Sequence, residues 1–147
     1  MVTTPIPREF KEFLKCFVLH NVRFMLIGGY AVNAFGHVRN TVDIDVWVAS
    51  DPENQQRAVR AVREFGFAST PDNILAEPKA MLRMGIPPLR IEVLKSISGV
   101  EFEDCWERRV PFDMEGHTIP MISLEDLKTN KRASGRAKDL ADVDQLP

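Results

Sequence analysis

Two aspartates carry the first chemical signal in this chain. The run Val42-Asp43-Ile44-Asp45-Val46-Trp47-Val48 alternates apolar and polar residues with the period of a strand. Its apolar face is Val42, Ile44, Val46 and Val48; Asp43, Asp45 and Trp47 take the other face. Residues two apart in a strand point the same way, so the two carboxylates stand roughly 6.5–7 Å apart at the backbone and can converge on one point. Asp is disfavoured in strands, and like charges on one face repel. A divalent cation would offset both costs, and hard carboxylate oxygens suit Mg²⁺, which takes one or two carboxylates together with substrate phosphates. For a bare Asp-x-Asp, a solvated strand face is the plainer alternative. Arg90-Ile91-Glu92-Val93-Leu94 alternates in the same way, with Leu89, Ile91 and Val93 inward and Glu92 outward. If this strand lies beside the first, three carboxylates share a face and could hold two metal ions. A surface Glu on an edge strand is the alternative.

Gly28-Gly29 closes a short apolar run and opens a helix, a place where glycines let backbone approach a ligand and helix N–H groups meet an anion. An ordinary tight turn accounts equally well for the pair taken alone. Basic residues flank these positions: His37 and Arg39 before the Asp strand, and Lys131, Arg136 and Lys138 near the C-terminus. A triphosphate needs such donors to spread its charge. Arg39 could instead pair with Asp43 or Asp45, and the C-terminal lysines could be a solvated helix face. Trp47 reads as core, and the three histidines as structural or surface residues. No Gly-x-Ser-x-Gly, Walker-type lysine or Cys/His pair suggests nucleophilic catalysis.

The elements that must position these residues follow from periodicity and punctuation. Phe10, Phe13, Leu14, Phe17 and Val18 predict an amphipathic helix from about 8 to 20. Residues 23–27 read as a buried strand, and Tyr30 to Phe35 as a short helix stopped at Gly36. Ser50 or Asp51 caps a helix with Pro52 in its first turn, ending at Phe65 before Gly66. Strands follow near 80–84 and 89–94, separated by Gly85 and Pro87-Pro88. Residues 110–114 and 117–122 flank a Glu115-Gly116 hairpin turn. Ser123 with Asp126 caps a helix reaching Ser134, and residues 137–146 form the last one. The order predicts an α+β (mixed α/β) fold, a mixed sheet with helices packed on it.

Length and composition bound the rest. At 147 residues the expectation is one domain. Nineteen Lys+Arg against 21 Asp+Glu give a net charge of −2, which argues against gripping long DNA by bulk electrostatics. No apolar run approaches the roughly 20 residues that span a bilayer, and the start of the chain, with Pro5 and Pro7 bracketing a short leader, lacks a secretory signal pattern. Cys16 and Cys105, unpaired in spacing, fit a reduced, cytoplasmic setting.

Taken together, Gly28-Gly29-Tyr30-Ala31-Val32 followed by Gly36-His37-Val38-Arg39-Asn40-Thr41-Val42-Asp43-Ile44-Asp45-Val46 resembles the signature of small bacterial nucleotidyltransferases of the polymerase-beta-like superfamily. The greatest similarity is to the group that includes nucleotidyltransferase-type toxins and antitoxins of abortive-infection systems. The tail, from Ile122-Ser123-Leu124-Glu125-Asp126-Leu127 through Lys131 to Arg136-Ala137-Lys138-Asp139-Leu140-Ala141-Asp142, is similar to that group's C-terminal segment, so the resemblance spans residues 24–146.

The resemblance implies a nucleotidyltransferase domain over 1–147, its N-terminal helix (about 8–20) and C-terminal helices (about 123–146) packed on the sheet. It implies Mg²⁺-dependent transfer, with Mn²⁺ the other candidate ion, of a nucleotidyl group from an NTP such as ATP to a hydroxyl on an RNA end, a protein or a small molecule. Asp43 and Asp45 would bind both metals, while Glu92 completes the second site and helps deprotonate the acceptor. Gly28 and Gly29 would cradle the β- and γ-phosphates, with Thr41 also at the nucleotide, and Arg39, Lys131 and Lys138 would neutralise the charge. Two departures stand out: the superfamily usually has Ser where Gly29 stands, and its third carboxylate is more often Asp than Glu. The short chain motivates a second expectation, half of a toxin–antitoxin pair that grips a partner protein with residual or no catalysis.

Overall fold

A computed structural model describes residues 6–86 and 89–147; Pro5 and the Pro87-Pro88 turn lie outside the described residues. The elements run α1 (Arg8–Leu19), β1 (Phe24–Ile27), α2 (Gly28–Ala34), β2 (Asp43–Val48), α3 (Pro52–Phe65), β3 (Met81–Met84), β4 (Arg90–Leu94), α4 (Phe102–Glu107), β5 (Val110–Met114), β6 (His117–Met121), α5 (Leu124–Ser134) and α6 (Ala137–Gln145). The six strands form one mixed sheet in the order β3-β4-β2-β1-β6-β5, the mixed α/β class expected from the sequence. Strand β2 runs parallel to β4 and antiparallel to β1, and β1 runs parallel to β6. Among the described residues no helix is long and apolar enough to cross a membrane.

Register fixes which helices cover which face. Phe24 lies opposite Val48, so it shares the face of Ile44, Val46 and Val48. Phe17 of α1 packs edge-on against Phe24, and Phe13 against Phe65 of α3, which places α1 and α3 on that face. Trp47 points the other way. It meets Phe102 of α4 and donates its indole N–H to the Lys95 carbonyl at 3.2 Å, so it is core, as expected, although it shares the strand face of Asp43 and Asp45. Each such fully buried side chain contributes roughly 1.5–3 kcal/mol by leaving water.

Local signals set the ends. Asp51 accepts the Asn54 N–H at 3.0 Å as N-cap of α3, and Ser123 accepts the Asp126 N–H at 3.2 Å as N-cap of α5. Glu115 and Gly116 both take left-handed conformations (φ 50° and 82°), as a tight hairpin requires. Three details depart from expectation. Helix α2 begins at Gly28 rather than Tyr30, so the glycines form its first turn. Val42, expected on the apolar face, precedes β2 and is 50% exposed. Helix α4 was not anticipated; its apolar residues Phe102, Cys105 and Trp106 do have helical spacing, but six residues give too short a pattern to separate from a loop.

One buried side chain joins three elements below the site. Asn54 accepts the Arg23 N–H at 2.7 Å and donates to the carbonyls of Arg23 and Ala49 at 3.0 and 2.9 Å. It thereby ties the start of β1 and the end of β2 to α3. Replacing Asn54 by Ala removes three hydrogen bonds and leaves the Arg23 N–H and the Ala49 carbonyl without that partner, while the Arg23 carbonyl keeps the Ala49 N–H; it should lower stability in urea denaturation by about 2–3 kcal/mol. A loss under about 0.5 kcal/mol, the level of a neutral surface change, would show that the bonds are not what joins them.

Candidate active site

The alternation in β2 and β4 becomes a cluster because of register. Asp45 lies directly beside Glu92, and Asp43 beside Arg90, across a parallel pair; Glu92 in turn faces Arg83 across the antiparallel pair β3–β4. One sheet face therefore carries Arg83, Glu92 with Arg90, and Asp45 with Asp43 on three successive strands. All three expected carboxylates are brought together. They line a cleft of about 570 Å³ with Gly28, Gly29, Arg39, Thr41, Lys131 and Lys138, so every site residue proposed from the sequence borders one cavity.

The carboxylates differ in their partners. Arg90 holds Asp43 through two N–H groups at 3.2 and 3.3 Å, and Arg83 donates to Glu92 Oε1 at 3.0 Å. Asp45 has no ion pair among the described residues. Burial, then the charge of Glu92 and a hydrogen bond shared with it, and then Asp43 push the Asp45 carboxyl up to about 7; Lys131 opposes this weakly. No group of three His, Cys, Asp or Glu side chains among the described residues is arranged to hold a metal ion as it stands; Asp43 and Glu92 are paired with Arg90 and Arg83 instead. The donor chemistry nevertheless fits a hard divalent cation: three carboxylates offer oxygen ligands alone. The glycines leave the room. A Cβ on Gly28 would sit 2.3 Å from Asp45 Oδ2, and φ there is +71°.

The basic wall is already organised. Lys131, 6% exposed at its side chain, lies 3.2 Å from Asp139 and 3.2 Å from Asp142. Arg39 is not paired with Asp43 or Asp45; it forks onto Asp142 at 2.8 and 2.9 Å. Its loop is fixed by buried Asn33, which accepts the Arg39 N–H and donates to the Arg39 carbonyl. Arg136 and Ser134 also donate to Asp139. Burial alone would raise Asp139, but the bonds from Arg136, Ser134 and Lys131 outweigh it and hold the carboxyl at about 2. Asp142 is lowered by Arg39 and Lys131 against its own burial. Lys138 borders the cleft without an ion-pair partner among the described residues. Gly29 has a steric reason of its own: a Cβ there would lie 2.4 Å from Thr41 Oγ1, so the Thr41 hydroxyl occupies the room a serine side chain would need.

Sequence reasoning missed Arg83, Arg90, Asn33, Asp139 and Asp142. Arg90 was the most readable of these, two residues from Glu92 and so on the same face. Asp139 and Asp142, three apart in α6, also share a helix face.

Residues 9–146 match the sequence model of the family described as "Nucleotidyltransferase of unknown function (DUF6036)". No curated protein sequence matches the chain. Among solved structures it is similar to TM1012 of Thermotoga maritima, a protein assigned as a nucleotidyltransferase, with a TM-score of 0.64 at 18% identity over 94% of this chain and 89% of that one. It is also similar to the lincomycin-bound lincosamide antibiotic adenylyltransferase LnuA, with a TM-score of 0.58 at 15% identity over 97% and 96% of the two chains. At these identities the likeness is one of fold.

The crowded carboxylates make a stability prediction. Between the ordinary Asp value of 3.8 and about 7, the folded chain keeps a proton on Asp45 that the unfolded chain has released. Stability contributed by this group therefore falls as pH rises through that window. Asp45→Asn should stabilise the metal-free protein at pH 8 by a few kcal/mol, at about 1.4 kcal/mol for each pH unit of that window, and by less at pH 5. Equal effects at both pH values in thermal unfolding would remove the repulsion from the account.

Proposed function

The chain belongs to the nucleotidyltransferase family whose sequence model it matches, and from that premise we propose that it moves a nucleoside monophosphate from an NTP to an acceptor hydroxyl with a divalent cation held by Asp43, Asp45 and Glu92. The observation that carries this reading is the registered trio of carboxylates across a cleft from the Gly28-Gly29 backbone. When bound, Mg²⁺ or Mn²⁺ supplies charge neutralisation for the phosphates and Lewis acidity at the reacting centre.

The chain's own residues do the rest. The glycine backbone admits the β- and γ-phosphates at close range, with the Thr41 hydroxyl beside Gly29. Lys138 meets their charge, and Arg39 and Lys131, fixed by Asp142 and Asp139, form a preorganised positive wall. The acceptor oxygen attacks the α-phosphorus, its new O–P bond forms as the bond to the β-phosphate oxygen breaks, and pyrophosphate leaves with the electron pair. The hydroxyl proton passes to Glu92 Oε2, the oxygen that Arg83 does not hold. A role as the protein-gripping half of a toxin–antitoxin pair would leave this carboxylate cluster without a use, so the charged cleft favours catalysis.

Each NTP, α-³²P-labelled, is incubated with the protein, Mg²⁺ and cell RNA, protein or small-molecule extract. Label should move to one acceptor pool, and folded Asp45→Asn or Glu92→Gln protein should lose transfer by about 10³-fold or more. Transfer undiminished in both folded variants would contradict the assignment.

A further inference from the structure

Two arginines occupy the carboxylates that the reaction would use. Arg90 forks onto Asp43, its Nε 3.2 Å from Oδ1 and its Nη2 3.3 Å from Oδ2, and the same Nε lies 3.9 Å from Glu92 Oε1. Arg83 donates to Glu92 Oε1 at 3.0 Å. Register creates both contacts, because Arg90 lies opposite Asp43 across β2–β4 and Arg83 opposite Glu92 across β3–β4. Both oxygens of Asp43 and one of Glu92 are therefore engaged by planar, permanently charged donors.

A cation has to compete for those same oxygens. The two guanidinium groups together carry the formal charge of one divalent ion. A cation arriving alone would displace them and leave two positive charges beside its own. The cleft offers them little in exchange. Asp45 faces the cation itself, and Asp139 already accepts from Lys131, Ser134 and Arg136. A triphosphate changes this balance, since its anionic oxygens match a guanidinium fork and also share the cation with the carboxylates.

On the nucleotidyl-transfer reading above, we propose that Arg90, with Arg83 as a second arm, is an electrostatic latch that keeps a divalent cation off the carboxylates until the phosphates of an NTP give the guanidinium groups another partner. Arg90 is thus a gating residue acting through Asp43. The cation and the NTP enter as a coupled pair, and the coupling is reciprocal: each tightens the binding of the other by the same factor.

Cation binding to the nucleotide-free protein tests this without turnover. Mn²⁺ is titrated into wild type, Arg90→Gln, Arg83→Gln and Lys138→Gln, and the bound fraction is read from loss of the free-ion EPR signal. Arg90→Gln should bind Mn²⁺ about tenfold or more tightly than wild type, the worth of a charge-assisted fork. Arg83→Gln, which gives up a more exposed arm, should gain about threefold and serves as a second variant at an edge strand. Lys138→Gln removes the same charge from the cleft without freeing a carboxylate, and should change the affinity less than about twofold. Calorimetry with non-hydrolysable analogues of the four NTPs, in Mg²⁺ or in EDTA, reads the coupling. The factor by which Mg²⁺ tightens analogue binding should fall about tenfold in Arg90→Gln. Folded Arg90→Gln and Arg83→Gln proteins that bind Mn²⁺ no more tightly than wild type overturn the latch and leave nucleotidyl transfer standing. So does an equal gain in Lys138→Gln, which would make net charge alone the cause, or an unchanged coupling factor in Arg90→Gln. Wild type that binds none of the analogues in Mg²⁺ overturns the nucleotidyl-transfer reading, and this inference with it.

Discussion

Asp45 beside Glu92, on adjacent parallel strands and the same face, is the contact around which this protein is arranged. Two carboxylates at neighbouring positions in a half-buried cleft repel, and burial raises the cost of charging either one. The chain offsets this with a shared proton on Asp45 and with two arginines, Arg90 on Asp43 and Arg83 on Glu92, placed by the same register that creates the crowding. Each of these compensations is reversible. A proton leaves with pH, and a half-exposed guanidinium can change partner at little cost, since exposed ion pairs contribute about 0–1 kcal/mol. A site stabilised by exchangeable partners is one that a cation and an anionic substrate can take over.

The opposite wall follows the reverse logic. Lys131, Arg39 and Arg136 converge on Asp139 and Asp142, both almost fully buried, and join α5, α6 and the loop before β2. Breaking one partner of such a buried network costs about 3–5 kcal/mol. These pairs are therefore fixed, and on the proposed reading they would meet a phosphate without reorganising. The cations about the cleft thus divide into a set held by buried carboxylates, Lys131, Arg39 and Arg136, and a set held by less buried ones, Arg83 and Arg90, paired with Glu92 and Asp43. Lys138 lines the same cleft without an ion-pair partner among the described residues.

Much of this could be read from residue order alone, and the boundary has a physical cause. Strand and helix periods, the Asp51 and Ser123 caps and the Glu115-Gly116 turn are local, and they appear where expected. The carboxylate trio was readable because alternation fixes facing within a strand. Its convergence still depended on β2 pairing with β4, which no local pattern states. Partners distant in sequence were beyond reach: Arg39 finds Asp142, 103 residues away, rather than the nearby Asp43 or Asp45. Burial of Lys131 was hidden for the same reason, since a lysine on a polar helix face reads as solvated until α6 folds over it. Gly29 shows the converse. Its departure from the usual serine made sense only when the Thr41 hydroxyl was found in that space.

The central claim is that these carboxylates form a cation-dependent nucleotide site, and thermal unfolding with ATP or another NTP, with and without Mg²⁺, tests it most directly. A ligand at about 100 times its dissociation constant adds roughly 2.7 kcal/mol, on the order of 5–11 °C in midpoint for a chain of this size. The account predicts such a rise with at least one NTP when Mg²⁺ is present, and its loss without Mg²⁺ or in Asp45→Asn protein. A rise of the same size without Mg²⁺, or no rise with any of the four NTPs, would contradict it.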